Sequence, residues 1–204
     1  ALLNADPAAV TVKADAPWKN LGEFIAEARK RPGDLKMGNS GAGSIWHLAA
    51  AALETNQGIK FNAVPFGGAA PAVLSLMGGH IDAVAVSPAE VAVHVQAGKL
   101  RTLAVMADKR VKGFENVPTA KEQGVNLSLA TWRGLAAPKG TPPEIVAMLA
   151  DVARKSIDEP VVKDTTDRLG MGLGYADGPA FAAMMKRDNE TFKALVQQLG
   201  LKGA

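Results

Sequence analysis

The chain of 204 residues contains no cysteine. That excludes a disulfide framework, thiolate zinc sites and a cysteine nucleophile, and it leaves the redox compartment undecided. Aromatic residues are scarce at 5%, and they do not interleave with basic residues along any stripe, which argues against a nucleic-acid partner. The formal net charge is only +3, and Lys and Arg are scattered. Arg29-Lys30-Arg31 closes an amphipathic segment, where cations suit the helix dipole, and Lys109, Arg110 and Lys112 fall in a loop. A mildly basic surface of this kind helps steer an anion. No apolar run is long enough to span a bilayer, and no basic-then-apolar leader opens the sequence. The start, Ala1-Leu2-Leu3-Asn4-Ala5, reads as the tail of an element that begins upstream.

Signatures of chemistry are missing as well. There is no G-x-S-x-G elbow and no sequence pattern that assembles a Ser-His-Asp set. The glycines at 38, 41 and 43 follow G-x-x-G-x-G rather than the dinucleotide fingerprint, and no Gly-Lys-Ser/Thr makes a Walker loop. His47, His80 and His94 lack the spacing of a zinc set. The expectation is a non-enzyme with no metal and no cofactor.

What is present is the composition of a folded domain, 48% hydrophobic and 21% charged. Short apolar runs alternate with helix-period segments, which predicts an α/β fold. Val10-Thr11-Val12-Lys13 is a β-branched run. A helix is predicted over 20–31, with Asn20 as N-cap, Glu23 three residues on, and Pro32-Gly33 ending it. Strand-like runs at 35–37, 62–66, 81–86 and 103–106 alternate with helices, one of them opened by Ser87-Pro88. The runs at 81–86 and 103–106 suit burial on both faces, so a compact parallel sheet is expected. Residues 129–138 read as extended and carry Trp132. From Thr141 the character changes to helices over about 143–156, 160–169 and 178–199, with little β-type sequence between them.

The stretch Gly38-Asn39-Ser40-Gly41-Ala42-Gly43-Ser44 is the most informative. A glycine-rich turn from strand to helix exposes backbone N–H groups at the positive end of a helix, which suits an anion. Ser40 and Ser44 add hydroxyl donors, Asn39 an amide, and His47 lies one turn on. The same residues also fit a tight turn with a serine N-cap, and both readings stand. Gly67-Gly68-Ala69 is a second turn of this kind and Ser87-Pro88 a third. Open α/β sheets bind ligands where such turns line one edge. Asp82 either orients a donor or holds a loop. Trp132 fits an apolar ligand wall or ordinary core.

Several motifs, in order along the chain, resemble the Bug family, the solute receptors of tripartite tricarboxylate transporters. They are Lys36 through Ser44 with His47-Leu48-Ala49, Val64-Pro65-Phe66-Gly67-Gly68 with Pro71-Ala72, and Gly78-Gly79-His80-Ile81-Asp82. Ala97-Gly98-Lys99-Leu100-Arg101-Thr102-Leu103-Ala104-Val105, Val117-Pro118-Thr119 with Glu122-Gln123-Gly124, Trp132-Arg133-Gly134-Leu135-Ala136-Ala137-Pro138 and Gly140-Thr141-Pro142-Pro143-Glu144-Ile145-Val146 complete the set. The resemblance implies a periplasmic receptor of the type II periplasmic-binding-protein (Venus flytrap) fold. Such a receptor closes on a small carboxylate and delivers it to membrane permease subunits. It implies a ligand-binding set of Ser40, Gly41, Gly43, Ser44, His47, Gly67, Gly68 and Ala69, with Ser87 and Trp132 as outer members. It divides the chain into 1–12, a remnant of the first domain and hinge; 13–126, a complete second α/β domain; and 127–204, the hinge return and C-terminal helical part of the first domain. The long first-domain segment that opens family members is not matched, so half a pocket is expected. Self-association through helical faces carrying Ile145, Leu149 and Val152 is expected too. Phe66-Gly67 stands where the family often has an aromatic followed by lysine. An alternative on the same fold is a sensory module presenting a carboxylate to a signalling partner; an enzyme using 38–44 as a phosphate or acyl cradle lacks its nucleophile–base pair.

Overall fold

In a computed structural model of the chain, residues 1–168 and 170–201 are described. The chain folds as two compact units. The larger holds Pro7–Ala130 and the C-terminal residues from Ala194; the smaller holds Ala1–Asp6 and Thr131–Lys193.

The larger unit is built on five strands, β2 (Ala9–Lys13), β3 (Lys36–Asn39), β4 (Asn62–Pro65), β5 (Ala83–Val86) and β6 (Leu100–Val105), in the order β4-β3-β5-β2-β6. β3 runs parallel to both β4 and β5, whereas β2 runs antiparallel to β5 and β6. The expected all-parallel sheet is therefore corrected to a mixed one. Apolar content reports that a strand is covered on both faces but not which way it points. Every residue of β5 is buried, and Val10 and Val12 on β2 and Leu103 and Val105 on β6 are at most 2% exposed, as expected of a sheet with helices on both sides. Thr11 and Thr102, buried on β2 and β6, satisfy each other across a 3.1 Å hydroxyl pair.

The helices of this unit start where their sequences say. In α1 (Leu21–Lys30), Asn20 Oδ1 accepts from Glu23 N at 2.9 Å and Glu23 reaches back to Lys19 N at 2.6 Å, a reciprocal cap. Its Leu21, Phe24, Ile25 and Ala28 are buried on one face, and Phe24 lies between Trp18 and Phe61 at ring distances of 5.1 and 5.5 Å. α2 (Ile45–Gln57) buries Leu48 through Leu53. α3 (Ala69–Met77) and α4 (Pro88–Gln96) follow β4 and β5.

In the smaller unit β1 (Leu2–Pro7) lies between β7 (Ala130–Gly134) and β8 (Leu173–Ala176), antiparallel to β8. The opening residues form a strand, and β8 adds a strand to the region after Thr141, where little β-type sequence was expected. On β1 the buried Asp6 accepts from Asn4 Nδ2, Gly172 N and Arg133 Nη1, at 3.0, 3.0 and 2.6 Å, so the carboxylate is fully ligated by its own unit. α5 (Pro143–Ser156), α6 (Pro160–Arg168) and α7 (Gly178–Gln198) complete the chain. The last turn of α7 belongs to the larger unit, where Thr55 Oγ1 donates to Gln198 Oε1 at 3.0 Å. Among the described residues no helix is long and apolar enough to cross a membrane.

Candidate functional site

Because β3, β4 and β5 are parallel neighbours, their C-terminal ends share one edge of the sheet, and α2, α3 and α4 each begin there. The pairing fixes how they line up. Asn39 is opposite Pro65 and Gly38 opposite Val84; counting on along each strand brings Gly41 level with Gly67 on one side and Ser87 on the other. The first turn of a helix leaves N–H groups without intrahelical partners, so this edge gathers three positive helix ends. Neighbouring strands lie about 4.8 Å apart.

The three junctions differ in what their donors already hold. At the α2 junction half are engaged. Gly41 N donates to Asn39 Oδ1 at 3.0 Å, Gly43 N to His47 Nδ1 at 3.0 Å, Ser44 N to Gly41 O at 3.1 Å, and His47 N to Ser44 Oγ at 3.2 Å. The glycine loop is thus a partly self-bonded scaffold that leaves the N–H groups of Ser40, Ala42, Ile45 and Trp46 without partners among the described residues. Acceptance at Nδ1 requires that nitrogen to be unprotonated. Burial holds His47 below the ordinary imidazole value of 6.5; Glu54 pulls the other way and Lys60 adds a smaller lowering. Asn39 is fully buried, and its Nδ2 has no partner among the described residues, a cost of about 1–3 kcal/mol for a buried donor.

At the α3 junction nothing is engaged. Gly68 caps the helix at φ +146° with no side-chain bond, a backbone that suits glycine. The N–H groups of Gly67, Gly68, Ala69 and Ala70 have no partner among the described residues. Pro71, next in line, has no N–H to offer. The two junctions approach closely: a side-chain carbon at Gly41 would lie 3.5 Å from the Phe66 carbonyl oxygen. Beneath them Gly38 is closed in, since a carbon there would meet Ile81 Cδ1 at 2.5 Å.

At the α4 junction the donors of Ser87 are taken by an internal acid, while the Ala89 N–H has no partner among the described residues. Ser87 is 5% exposed, and both its N–H and its hydroxyl donate to Glu90 Oε2, at 2.7 and 2.9 Å. Pro88 removes the next N–H.

The structure thus brings Ser40, Gly41, Gly43, Ser44, His47, Gly67, Gly68 and Ala69 onto one edge, with Ser87 beside them. Trp132 belongs to the smaller unit, where its Nε1 donates to Asp188 at 2.8 Å and its ring meets Phe181 edge-on at 5.1 Å. Asp82 immediately precedes β5, and its Oδ2 accepts from Lys36 N at the start of β3 at 2.8 Å; it fastens the sheet at the edge away from the helix starts. Two residues were missed. Ala70 has a free N–H that only the helix start reveals, and Glu90 was legible from the Ser87-x-x-Glu90 spacing of a capping box. A cavity of about 320 Å³ lined by Lys13, Met77 and Lys99 lies at the opposite edge, where β2 ends and β6 begins. Among the described residues no group of three or more His, Asp or Glu is placed to hold a metal.

The chain is similar over nearly its whole length to known proteins. A family model described as the tripartite tricarboxylate transporter family receptor matches residues 1–201. The UPF0065 protein in the gbd 5′ region of Cupriavidus necator is 36% identical over 195 residues, covering 96% of this chain and 59% of that relative; the chain therefore spans little more than half of its length. The crystal structure of a TctC solute-binding protein from Polaromonas superposes with a TM-score of 0.90 at 55% identity, over 97% of this chain and 68% of that one. An R. palustris protein solved with adipate gives a TM-score of 0.80 at 26% identity, over 98% of this chain and 68% of its own. The fold is that of the type II periplasmic binding proteins, and the chain belongs to the tripartite tricarboxylate transporter receptor family.

Proposed function

We propose that this chain is the ligand-capturing part of a periplasmic solute receptor that takes a small carboxylate and hands it to the membrane subunits of a tripartite tricarboxylate transporter. In this reading the larger unit is the receptor's second domain and the smaller is part of its first. No bond is made or broken in the ligand. The observation that carries the reading is the α3 junction: four consecutive backbone N–H groups, from Gly67 to Ala70, without partners at a positive helix end. A carboxylate presents two oxygens that accept several such bonds, and charge-assisted bonds are about twice as strong as neutral ones. The hydroxyls of Ser40 and Ser44, one strand away, supply further donors. The partly self-bonded loop 38–44 holds its shape before a ligand arrives, which limits the ordering cost of binding. Backbone donors recognise a carboxylate of any parent molecule; the adipate held by the R. palustris relative makes linear dicarboxylates the first ligands to try.

Calorimetric titration with C4–C6 dicarboxylates and aromatic acids tests the proposal. A saturable heat with at least one carboxylate is expected. No heat with any of them, alongside tight binding of a sugar or nucleotide, would reject it.

A further inference from the structure

The three helix starts on the ligand edge are unequal in charge. Neither α2 nor α3 has an acidic residue in its first turn, whereas α4 has Glu90. That carboxylate is bound to the Ser87 N–H and hydroxyl, so a full negative charge sits on a helix end worth about half a positive one. The α4 junction therefore presents a net negative potential, one strand spacing from the Gly41 loop. At the α2 junction the opposite holds: Asn39 Oδ1 holds Gly41 N, while its buried Nδ2 donor lacks an acceptor among the described residues. An unmatched donor lies at β3's own end, free N–H groups of the α3 junction lie on its β4 side, and an internal anion lies on its β5 side.

We propose that Glu90 is a specificity residue: it makes this edge accept one carboxylate group, seated at the α2 and α3 junctions, and reject ligands that bring two carboxylates to it on the same carbon. The inference rests on the carboxylate-receptor reading above. A second carboxylate on the carbon bearing the first has to lie within a few ångströms of the seated group. The α4 side offers it repulsion and little to bind, because Ser87 is occupied, Pro88 has no N–H, and the one N–H of the first turn left unpartnered among the described residues, that of Ala89, lies one residue from Glu90. A linear dicarboxylate escapes this, since its far group leaves the edge. Glu90 is exposed, so solvent screens it and the discrimination is several-fold rather than many orders of magnitude. It also weakens with salt, because the charges lie within about one Debye length at 0.1 M ionic strength, about 10 Å.

The experiment compares butyrate, ethylmalonate (butyrate with a second carboxylate on the same carbon) and adipate, titrated by calorimetry into the wild type and Glu90→Gln. Glutamine at this position still accepts from the Ser87 N–H and so keeps the helix start, which circular dichroism checks, but it carries no charge. Glu90→Gln is expected to raise affinity for ethylmalonate about five-fold at low salt while changing that for butyrate and adipate less than about two-fold. The ethylmalonate gain should shrink at 0.5 M salt. Equal changes for all three ligands, or none, would overturn the inference and leave Glu90 as a helix cap only. A wild type that binds carboxylates with selectivity untouched by Glu90→Gln defeats this inference alone. A wild type that binds no carboxylate defeats the receptor reading and this inference with it.

Discussion

The larger unit places a closed core beneath an open polar edge, while the smaller unit leaves much of its apolar surface uncovered. In the larger unit Val10, Val12, Met37, Val84 and Val86 are fully buried, and α2 buries six consecutive residues. In the smaller unit α5 buries only Ala153, and Ile145, Met148, Leu149 and Val152 are 40–55% exposed on one side of the helix. The difference teaches where each unit's specificity comes from. A sheet packed on both sides fixes the position of its loop ends to within ångströms, which is what backbone recognition of an anion requires. The smaller unit is ordered instead by a few directed contacts: the Asp6 cluster, and Trp132 held between Phe181 and Asp188.

Substitutions that sharpen this contrast are expected to range widely in size. Gly38→Val forces side-chain atoms against Ile81 and Val84, and should cost about 3 kcal/mol by overpacking. Leu149→Ala on the open face of α5 should change stability by less than about 0.5 kcal/mol. Thermal melts of the two variants check the pair, and equal losses would erase the distinction. Ser40→Ala is expected to weaken carboxylate binding by about 1–2 kcal/mol through a lost charge-assisted bond. Unchanged affinity in calorimetry would assign the grip to the α3 amides alone. The exposed apolar face of α5 predicts self-association. Light scattering should show an average mass that rises with concentration and returns to that of one chain in Leu149→Glu/Val152→Glu; a wild type that stays monomeric contradicts this. The smallest effect is that of pH. Because His47 is held below 6.5 in the folded chain, the unfolded chain takes up the proton first. Its contribution to stability is complete above about pH 6.5 and is lost as pH falls from there through the folded-state value. His47→Asn should flatten that part of the stability–pH curve, measured by urea titration.

Much of the larger unit could be read from residues alone, because its helices advertise their ends. Asn20 with Glu23, Ser44, and Ser87-Pro88 each mark a helix start that the structure contains. Strand direction was not legible. β2 and β5 are both largely apolar, and only tertiary pairing sets one against the other. β1 and β8 were missed because Asn4, Asp6 and Gly174 break the apolar alternation; the buried polar face of β1 is satisfied by Arg133 and Gly172, which lie far away in sequence. At the candidate site the glycine turns stood out, but the state of their donors did not. Gly41, Gly43 and Ser44 look like free N–H groups in a sequence, and the structure shows each bonded within the loop. The Gly67–Ala70 stretch, which carries no hydroxyl or charge, is where four unpartnered amides lie in a row. Such bookkeeping depends on backbone geometry, which periodicity does not encode.

Carboxylate capture in this receptor reading turns on those four amides. Proton–nitrogen correlation spectra of the labelled protein, recorded as adipate is added, report on each of them directly. The amide signals of Gly67, Gly68, Ala69 and Ala70 should move furthest, with saturation at a common ligand concentration, as hydrogen bonds to the anion form. Binding that moves other amides and leaves these four in place would contradict the central claim.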